Sequence, residues 1–477
     1  MATAGHQPGP PRVLVPLTTS FAVRYVVRTG LSARLTEYCQ PVLGLTWDDP
    51  ALAEELRADG AEVVRIPSPE VSADVRNAMA LVRATFEDRL RSPSTRIDRA
   101  RAATARPPRK RVQVALAELR LRTRARRKGD TPELRRQLDA ELDEGTNLAE
   151  NVAFLRSHQI DAVLSVTPYV TQEFVILCAA ERLGLTACTS IISFDNLTTR
   201  MPLPIPFARY LVWNSFMVDE LLRSDERATR DQVAVVGAGQ FDFYVDDAYV
   251  EDDATWARRL GLELGHPIVL VGGGPTTIAP HETQYLDHIV QGIADGRLPA
   301  DLEVVLRRHP NDAPERWERF RSHPSVWFDD PGPTGDDAVR PFESNLATEQ
   351  ITGLRSTLTH TDVHVNVSST MTLDGAFFDK PQIGPAYDLA GGRRADRDAR
   401  DLYAREHFVP IVASGGLELA RDPDQLVALI ARALAEPERL AAQRRQMVPA
   451  MCTFTDGRAI ERIVDELRPI LSEARAE

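Results

Sequence analysis

Residues 363–384 read VHVNVSSTMTLDGAFFDKPQIG, and this stretch predicts a strand, a polar turn and a helix in that order. Its first residues are β-branched at every second position and bounded by polar side chains, which is typical of a buried parallel strand. Ser368, Ser369 and Thr370 follow. They can begin a helix whose first N–H groups and positive dipole end suit an anion such as a diphosphate. They can equally cap a helix that binds nothing, so this stretch alone leaves both interpretations open.

Length and composition indicate an ordinary globular protein of more than one domain. The 477 residues are too many for a single core, and the composition of 43% hydrophobic and 26% charged residues is a globular balance. No stretch of about 18 uncharged apolar residues occurs. The first residues, MATAGHQPGPPR, lack the charged head and apolar run of a signal peptide, so we predict a cytoplasmic protein.

The cysteines show neither CxxC nor zinc-type spacing. Two of the four lie in apolar segments, and we interpret all of them as reduced core residues. They are Cys39, Cys178, Cys188 and Cys452.

Positive charge is concentrated in one segment. The chain carries a formal net charge of −12, yet residues 83–136 contain 18 Arg or Lys and 6 Asp or Glu. Prolines and a helical pattern near 111–126 predict a basic helical insertion there. Such a helix can lie on an anionic membrane surface or near a lipid-linked or anionic acceptor. A solvated Arg-rich surface is the alternative, and the lack of interleaved aromatic residues argues against nucleic-acid binding.

Strand-like and helical runs alternate along the rest of the chain, in one series before a Gly- and Asp-rich break at 237–253 and another after it. We therefore predict an α/β fold of two Rossmann-like domains that face a central cleft, where open α/β sheets bind their ligands. The predicted strands are 13–17, 40–45, 62–66, 162–166, 186–192, 210–213, 233–236, 268–271, 302–307, 326–328, 363–367 and 382–383.

A glycine-rich turn follows the first strand of the second series. In this turn, Gly273, Gly274 and Thr276 would let a ligand approach the backbone closely. The turn matches neither GxGxxG nor the Walker pattern GK[ST], which excludes the corresponding dinucleotide and kinase or ATPase sites. Glu282, shortly after it, is a candidate ribose contact or a simple helix-start carboxylate.

The next strand ends in Arg307, Arg308, His309 and Pro310, and the proline stops the strand there. Arginines offer bidentate contacts to phosphate, and a protonated His309 would donate to a leaving diphosphate. An exposed strand end without a ligand is the alternative interpretation.

Together these motifs resemble one group of enzymes. The chain is similar to GT-B glycosyltransferases of the branch that includes CDP-glycerol glycerophosphotransferases, bacterial polysialyltransferases and, more distantly, UDP-N-acetylglucosamine 2-epimerases. The likeness is strongest over residues 205–465. It rests on RHP at 308–310, SST at 368–370, Asp374, Lys380-Pro381 and FTDGRA at 454–459.

The resemblance implies a role for each motif. In the family, the histidine of the HP motif and the serine pair bind the nucleotide diphosphate, which implies the same for His309, Ser368 and Ser369. Thr370 and Asp374 would join them in the donor site.

The resemblance also implies domain roles. Residues 1–240 would form the acceptor domain with the basic insertion inside it, 241–262 a linker, and 263–455 the nucleotide-donor domain. Residues 456–477 are predicted as a helix that packs back on the first domain.

The segment SFDNLTTR at 193–200 supplies the candidates in the first domain. Asp195 is the candidate base that deprotonates an acceptor hydroxyl, and Asn196 would lie beside it at the cleft. An Asx turn is the alternative role of this pair. Glu173 is a further candidate, and His407, before a predicted strand and a glycine turn, is a candidate cleft contact.

We therefore predict a glycosyltransferase that moves a sugar or polyol phosphate from a nucleotide-activated donor to an acceptor hydroxyl. The acidic doublets lack the DxD spacing of metal-dependent glycosyltransferases, so neither a metal nor another cofactor is expected. One alternative is a 2-epimerase or hydrolase, although Thr370 and Met371 stand where that branch has paired glycines. The other is a non-catalytic nucleotide- or polyanion-binding protein. Peripheral contact with the inner membrane face through 83–136 is expected in addition.

Overall fold

Parallel β-sheets form the framework of the chain. The structure is a computed structural model that describes residues 9–104, 107–129, 131–200, 202–276, 278–309, 312–330, 348–389 and 399–474. Within those residues, seven strands form one sheet and six form the other. The strands are β1 Arg12–Leu17, β2 Gln40–Leu45, β3 Glu62–Arg65, β4 Ala162–Ser165, β5 Thr186–Ser190, β6 Arg209–Val212, β7 Val233–Val235, β8 Ile268–Gly272, β9 Glu303–Arg307, β10 Val326–Phe328, β11 Val363–Asn366, β12 Gln382–Pro385 and β13 Leu417–Ala420.

Helices connect successive strands, because parallel pairing requires a crossover rather than a hairpin. The α-helices in the described part of the chain are α1 Ser20–Val23, α2 Leu31–Leu35, α3 Pro50–Ala58, α4 Ala73–Leu90, α5 Pro93–Thr104, α6 Pro108–Lys128, α7 Thr131–Gly145, α8 Leu148–Ser157, α9 Thr171–Arg182, α10 Asn196–Thr199, α11 Ser215–Ser224, α12 Asp253–Leu260, α13 Thr283–Ala294, α14 Thr348–His360, α15 Met371–Phe377, α16 Val409–Ala413, α17 Pro423–Ala435, α18 Ala441–Cys452 and α19 Ala459–Leu471.

The chain divides into two compact units. Unit 1 comprises Met1–Leu90, Arg120–Gln240 and Arg458–Glu477, and unit 2 comprises Arg91–Leu119 and Phe241–Gly457. The strand order is β3-β2-β1-β4-β5-β6-β7 in unit 1 and β10-β9-β8-β11-β12-β13 in unit 2. In each unit the first strand pairs with the fourth, which is the order of a Rossmann-like sheet. The predicted pair of parallel α/β sheets is therefore confirmed.

The central strands are buried on both faces, which explains their nearly continuous β-branched and aliphatic sequences. Every residue of β4, β8, β9, β11 and β12 is buried. The four cysteines are also buried and form no disulfide.

The basic segment 83–136 is helical, as its sequence predicts, but it is shared between the units. Residues 91–119 group with unit 2, whereas the prediction assigned the whole segment to the N-terminal domain. Contacts within unit 2 account for this difference. The backbone N–H of Ser94 donates to Glu406 at 3.1 Å, and Asp98 forms an ion pair with Arg405.

Two further segments each belong to one of the two units. Residues 241–262, predicted as a linker, contain α12, whose Trp256 is buried and donates its indole N–H to Thr357 Oγ1 of unit 2 at 3.0 Å. The last helix, α19, belongs to unit 1, where Glu466 accepts from the Arg209 guanidinium.

The prediction of a strand directly after His407 is wrong. Val409–Ala413 forms the short helix α16, with Pro410 in its first turn, where a missing N–H costs nothing. Gly415, at φ +74°, then turns the chain into β13. None of the described helices is both long and apolar enough to span a membrane.

Gly375 allows α15 to pack closely on the sheet. A Cβ atom at this position would overlap the imidazole of His364 on β11 and the amide of Gln382 on β12. Both side chains are buried and lie 3.3 Å apart, and His364 also contacts Thr361 Oγ1 at 2.8 Å. Burial lowers the pKa of His364 to about 3, so its imidazole is neutral.

We expect Gly375→Ala to lower the free energy of unfolding by about 1–3 kcal/mol, because the buried neighbours must shift. Gly353→Ala in α14 is the matched control. Its Cβ would lie 3.7 Å from the Arg259 guanidinium, which is an ordinary contact. Alanine there should leave stability unchanged or raise it by up to about 1 kcal/mol. Urea unfolding followed by circular dichroism measures both, and equal stabilities would contradict the packing argument.

Candidate functional site

The neighbouring strands β8 and β11 mark the point in unit 2 where the strand order reverses. Gly272, at the end of β8, is paired with Asn366, at the end of β11, so both strands end at the same level of the sheet. The loops that follow them belong to crossovers that leave in opposite directions, and ligands of open α/β sheets bind in the crevice between such loops. The glycine-rich turn and the Ser368–Thr370 turn are these two loops.

The turn after β11 offers backbone N–H groups. Ser368 adopts φ +45°, in the left-handed region, and its hydroxyl donates to the Leu402 carbonyl at 3.0 Å. Ser369 Oγ accepts from the Met371 N–H at 3.2 Å. No described residue accepts a hydrogen bond from the backbone N–H of Ser369 or Thr370. The predicted anion-binding turn therefore has two backbone donors that no described residue uses.

The backbone of the turn after β8 forms internal hydrogen bonds, whereas the prediction placed a ligand against it. The N–H of Gly273 donates to the Arg307 carbonyl at 2.9 Å, and the N–H of Gly274 donates to Glu282 Oε1 at 2.7 Å. A Cβ at Gly273 would lie 3.1 Å from the Trp317 ring. These glycines serve internal packing and hydrogen bonding, so their backbone N–H groups are not available to a ligand in this arrangement.

A buried cluster of carboxyl groups holds the turn after β8 in place. Burial raises the pKa of Glu282 to about 8, against the opposing effects of Arg316 at 3.1 Å and the Gly274 N–H. Arg316 also pairs with Asp312 at 2.8 Å, and Asp312 accepts from Thr276 Oγ1 at 2.5 Å. Glu282 and Thr276 are thus members of an internal cluster of hydrogen bonds and ion pairs. Sequence reasoning missed Asp312 and Arg316, because nothing local marks them as partners of a turn some 40 residues earlier.

The two arginines at the end of β9 form ion pairs. Arg307 pairs with Asp329, and Arg308 pairs with Asp330 at 2.9 Å, both on the segment that follows β10. Both arginines are buried. We therefore leave them out of the proposed ligand site, since a buried partner left alone would be costly.

His309 follows directly after β9. Burial lowers its pKa, against an opposing effect of Asp312, so the imidazole is neutral near pH 7. The protonated form considered from sequence is therefore disfavoured. A neutral imidazole still carries one N–H, which keeps the predicted donor role chemically open.

Two other predicted residues lie in internal contacts of unit 2. Asp374 is buried on α15 and accepts from the Tyr244 hydroxyl at 2.9 Å. His407 is also buried, with its Nδ1 3.4 Å from Ser94 Oγ of α5. Neither belongs to the turn after β11, and both are explained by packing.

A small pocket borders the Ser368–Thr370 turn within unit 2. Arg101 of the basic segment reaches this pocket and donates to the Ile278 carbonyl. Its lining includes Arg101, Ala279, His281, Glu282, Tyr285, Val367, Leu389, Ala399 and Leu402.

Unit 1 has its own reversal point between β1 and β4. Glu173 of α9 is fully buried there and accepts hydrogen bonds from Thr18 at 3.2 Å and from Ser165 and Thr167. Burial raises the pKa of Glu173 to about 7, although the three hydroxyls act in the opposite direction. This carboxyl group links the end of β1 to the end of β4.

The predicted acceptor loop follows β5. Asp195 accepts from Ser193 Oγ at 2.5 Å and from Thr199 Oγ1 at 3.3 Å, both within its own loop. Asn196 is buried and accepts from the Tyr169 hydroxyl. Burial raises the pKa of Tyr169 well above its ordinary value, and the charge of Asp195 acts in the same direction.

An apolar surface pocket lies beside this loop within unit 1. Tyr169 joins the two, since its ring lines the pocket and its hydroxyl bonds Asn196. Arg135 is the charged member of the lining, and its guanidinium donates to the Leu203 carbonyl at 3.1 Å. The lining residues are Met79, Val82, Arg135, Leu138, Pro168, Tyr169, Val170, Thr171, Phe174, Pro202, Leu203 and Pro204.

Sequence reasoning did not find this pocket, because α4, α7, α9 and two loops contribute to it from distant parts of the chain. Across the part of the chain that the structure describes, no three His, Cys, Asp or Glu side chains are grouped so that they could hold a metal ion.

Solved structures share this architecture. The UDP-GlcNAc 2-epimerase from Neisseria meningitidis bound to UDP-GlcNAc has a TM-score of 0.54 at 12% identity, over 96% of this chain and 99% of that chain. S. aureus MnaA, in a structure with UDP, gives 0.54 at 13% identity, over 97% of each chain. A glycosyltransferase from Rickettsia africae gives 0.51 at 10% identity, over 98% of this chain and 100% of that chain.

Likenesses at these identities establish the fold, and the predicted GT-B fold is confirmed. No protein-family model and no curated protein matches the chain.

We expect the buried Glu173 carboxyl to make stability depend on pH. The folded protein retains this proton up to a pKa of about 7, whereas the ordinary value is 4.5. Its stabilising contribution is therefore complete below pH 4.5 and is lost as the pH rises to about 7.

Glu173→Gln should flatten this part of the pH dependence, which urea unfolding at a series of pH values measures. Glu54→Gln, at an exposed position on α3, is the control and should retain the wild-type slope. A Glu173→Gln protein with the wild-type slope would show that this carboxyl titrates normally.

Proposed function

Starting from the GT-B fold, we propose that the chain is a glycosyltransferase that uses a nucleotide-activated sugar or polyol phosphate. One observation carries this proposal. The turn Ser368–Thr370 follows β11 beside the end of β8, at the reversal point of the sheet in unit 2. Ligands of open α/β sheets bind at such points, and exposed backbone N–H groups suit phosphate.

The proposed donor site in unit 2 consists of backbone and imidazole N–H groups. The N–H groups of Ser369 and Thr370 would bind diphosphate oxygens. When a sugar is transferred, its bond to the diphosphate breaks and a nucleoside diphosphate leaves. When a polyol phosphate is transferred, the P–O bond within the diphosphate breaks and a nucleoside monophosphate leaves. In both cases negative charge grows on the leaving oxygens, and fixed donors stabilise it. The neutral imidazole of His309 would supply one such donor.

The proposed acceptor-binding residues are those of unit 1. Asp195 would accept the proton of the attacking hydroxyl, as a general base. The apolar pocket beside its loop would hold the acceptor through Tyr169 and the aliphatic side chains of its lining.

Epimerisation of a nucleotide sugar is the second candidate function, because solved structures of the same fold are named 2-epimerases. That reaction needs one substrate and no acceptor, so it leaves the apolar pocket of unit 1 without a use. This pocket is the observation that favours transfer. Incubation with the nucleotide sugar alone separates the candidates, since an epimerase converts it and a transferase does not.

We expect a nucleoside diphosphate to bind unit 2 through the turn after β11. A ligand at about 100 times its dissociation constant adds about 2.7 kcal/mol to stability, which a thermal-shift screen of UDP, CDP, GDP and dTDP detects.

Thr370→Pro tests the backbone contact directly. Thr370 has φ −55°, which proline adopts readily, so the substitution removes one N–H with little change of conformation. Loss of a hydrogen bond to a charged group costs about 1.5–3 kcal/mol, so the affinity for the diphosphate should fall about ten- to a hundredfold. Thr370→Ala keeps the N–H and should bind like the wild type. Equal affinity of the proline variant would refute this contact.

Once a donor is known, His309→Ala should reduce kcat by about a hundredfold or more, as loss of a positioned donor does, with a normal unfolding curve. His266→Ala, at a partly exposed histidine of the same unit, is the control. Full turnover of the His309→Ala enzyme would remove this residue from the mechanism.

A further inference from the structure

The basic helix α6 presents apolar side chains to solvent. Val112, Leu116 and Leu119 are 61%, 47% and 62% exposed. Their spacing of four and three residues places them on one face of the helix, where they form a continuous apolar stripe. Large apolar residues exposed in a row mark a surface that binds something, whereas single ones are ordinary.

The apolar stripe is flanked by cations. The sequence of α6 contains nine Arg or Lys and a single Glu. By helical periodicity, Arg109, Arg120 and Arg127 lie along one side of the stripe, and all three are exposed. Arg126 lies along the other side, where it is exposed and pairs with Asp88 at 3.1 Å.

The opposite face of α6 is attached to the protein. Ala125 is buried, and Arg122 pairs with Asp88 of α4 at 2.7 Å. The helix therefore has one face that packs and one that combines apolar side chains with positive charge.

Strongly exposed, large apolar side chains are concentrated on α6. Of the eight large apolar side chains that are strongly exposed in the described residues, three form the stripe. The others are dispersed over the sequence: Phe216, Val245, Leu264, Val409 and Phe454.

We propose that the outward face of α6 binds the surface of an anionic membrane. The stripe enters the headgroup region, the flanking cations contact lipid phosphates, and the helix lies in the plane of the interface. The described residues contain no membrane-crossing helix, so the contact is peripheral.

Two other partners fit α6 less well. A nucleic acid would use the cations but leaves the apolar stripe in water, and α6 has no aromatic residue for stacking on bases. A second copy of the chain would cover the stripe but brings two strongly basic helices together, and their like charges repel. A lipid surface satisfies both the apolar and the charged parts.

The test is co-sedimentation with vesicles, and Leu119→Glu is compared with Leu264→Glu. Both leucines are 62% exposed, so the two variants make the same chemical change at equally exposed sites. The wild type should bind vesicles of phosphatidylcholine mixed with phosphatidylglycerol, less at high salt, and not vesicles of phosphatidylcholine alone.

Leu119→Glu should weaken binding by at least about fivefold, which corresponds to one charge at such a surface, and Leu264→Glu should not. Arg120→Gln should weaken it to a similar degree with a shallower salt dependence. Circular dichroism should show unchanged helix content, because Glu and Gln favour helices and the sites are exposed.

Four results would overturn the proposal: no binding by the wild type at low salt, equal binding to neutral vesicles, equal binding by Leu119→Glu, or equal weakening by Leu264→Glu. Salt-sensitive binding of duplex DNA that outcompetes the vesicles would instead assign the cations to a nucleic acid. The measurement needs no donor or acceptor, so its outcome is independent of glycosyl transfer.

Discussion

Hydrogen bonding between the first and fourth strands of each sheet is the constraint on which the other features depend. It joins β1 to β4 in unit 1 and β8 to β11 in unit 2. Because crossovers are right-handed, this pairing sends successive loops apart and opens a crevice at the carboxyl edge. In each unit a buried glutamate then holds a loop at that edge: Glu173 bridges two strand ends, and Glu282 holds the N–H of Gly274.

The fold was accessible from sequence because its signal is local. β-Branched runs such as 363–367 and 268–271 predict buried strands. The helical segments between these runs indicate that the strands pair in parallel. The errors occur where long-range packing decides. The apolar run at 409–413 is compatible with a strand or a helix, and Pro410 together with the turn at Gly415 makes it a helix. Nothing in the composition of 91–119 reveals that these residues group with unit 2.

The candidate site was predictable only in part. Turn chemistry identified Ser368–Thr370, since capping residues after a strand are visible in a single sequence. The partners of Arg307 and Arg308 were not visible, because Asp329 and Asp330 reach them only through the register of β9 with β10. The same holds for Gly273 and the apolar pocket of unit 1, whose contacts join residues from separate elements. Residue type indicates what a side chain can bind. The fold decides whether a neighbouring residue of the chain already pairs with that side chain.

The division of the chain into interleaved segments affects how the protein is made. Unit 1 includes α19, whose buried Ile463 and Leu467 pack in the same unit as α2 and β5. On the ribosome, the strands of unit 1 emerge long before this helix, so the apolar surface that it covers remains open throughout synthesis of unit 2. Truncation before α19 would leave unit 1 unfinished rather than merely shorter.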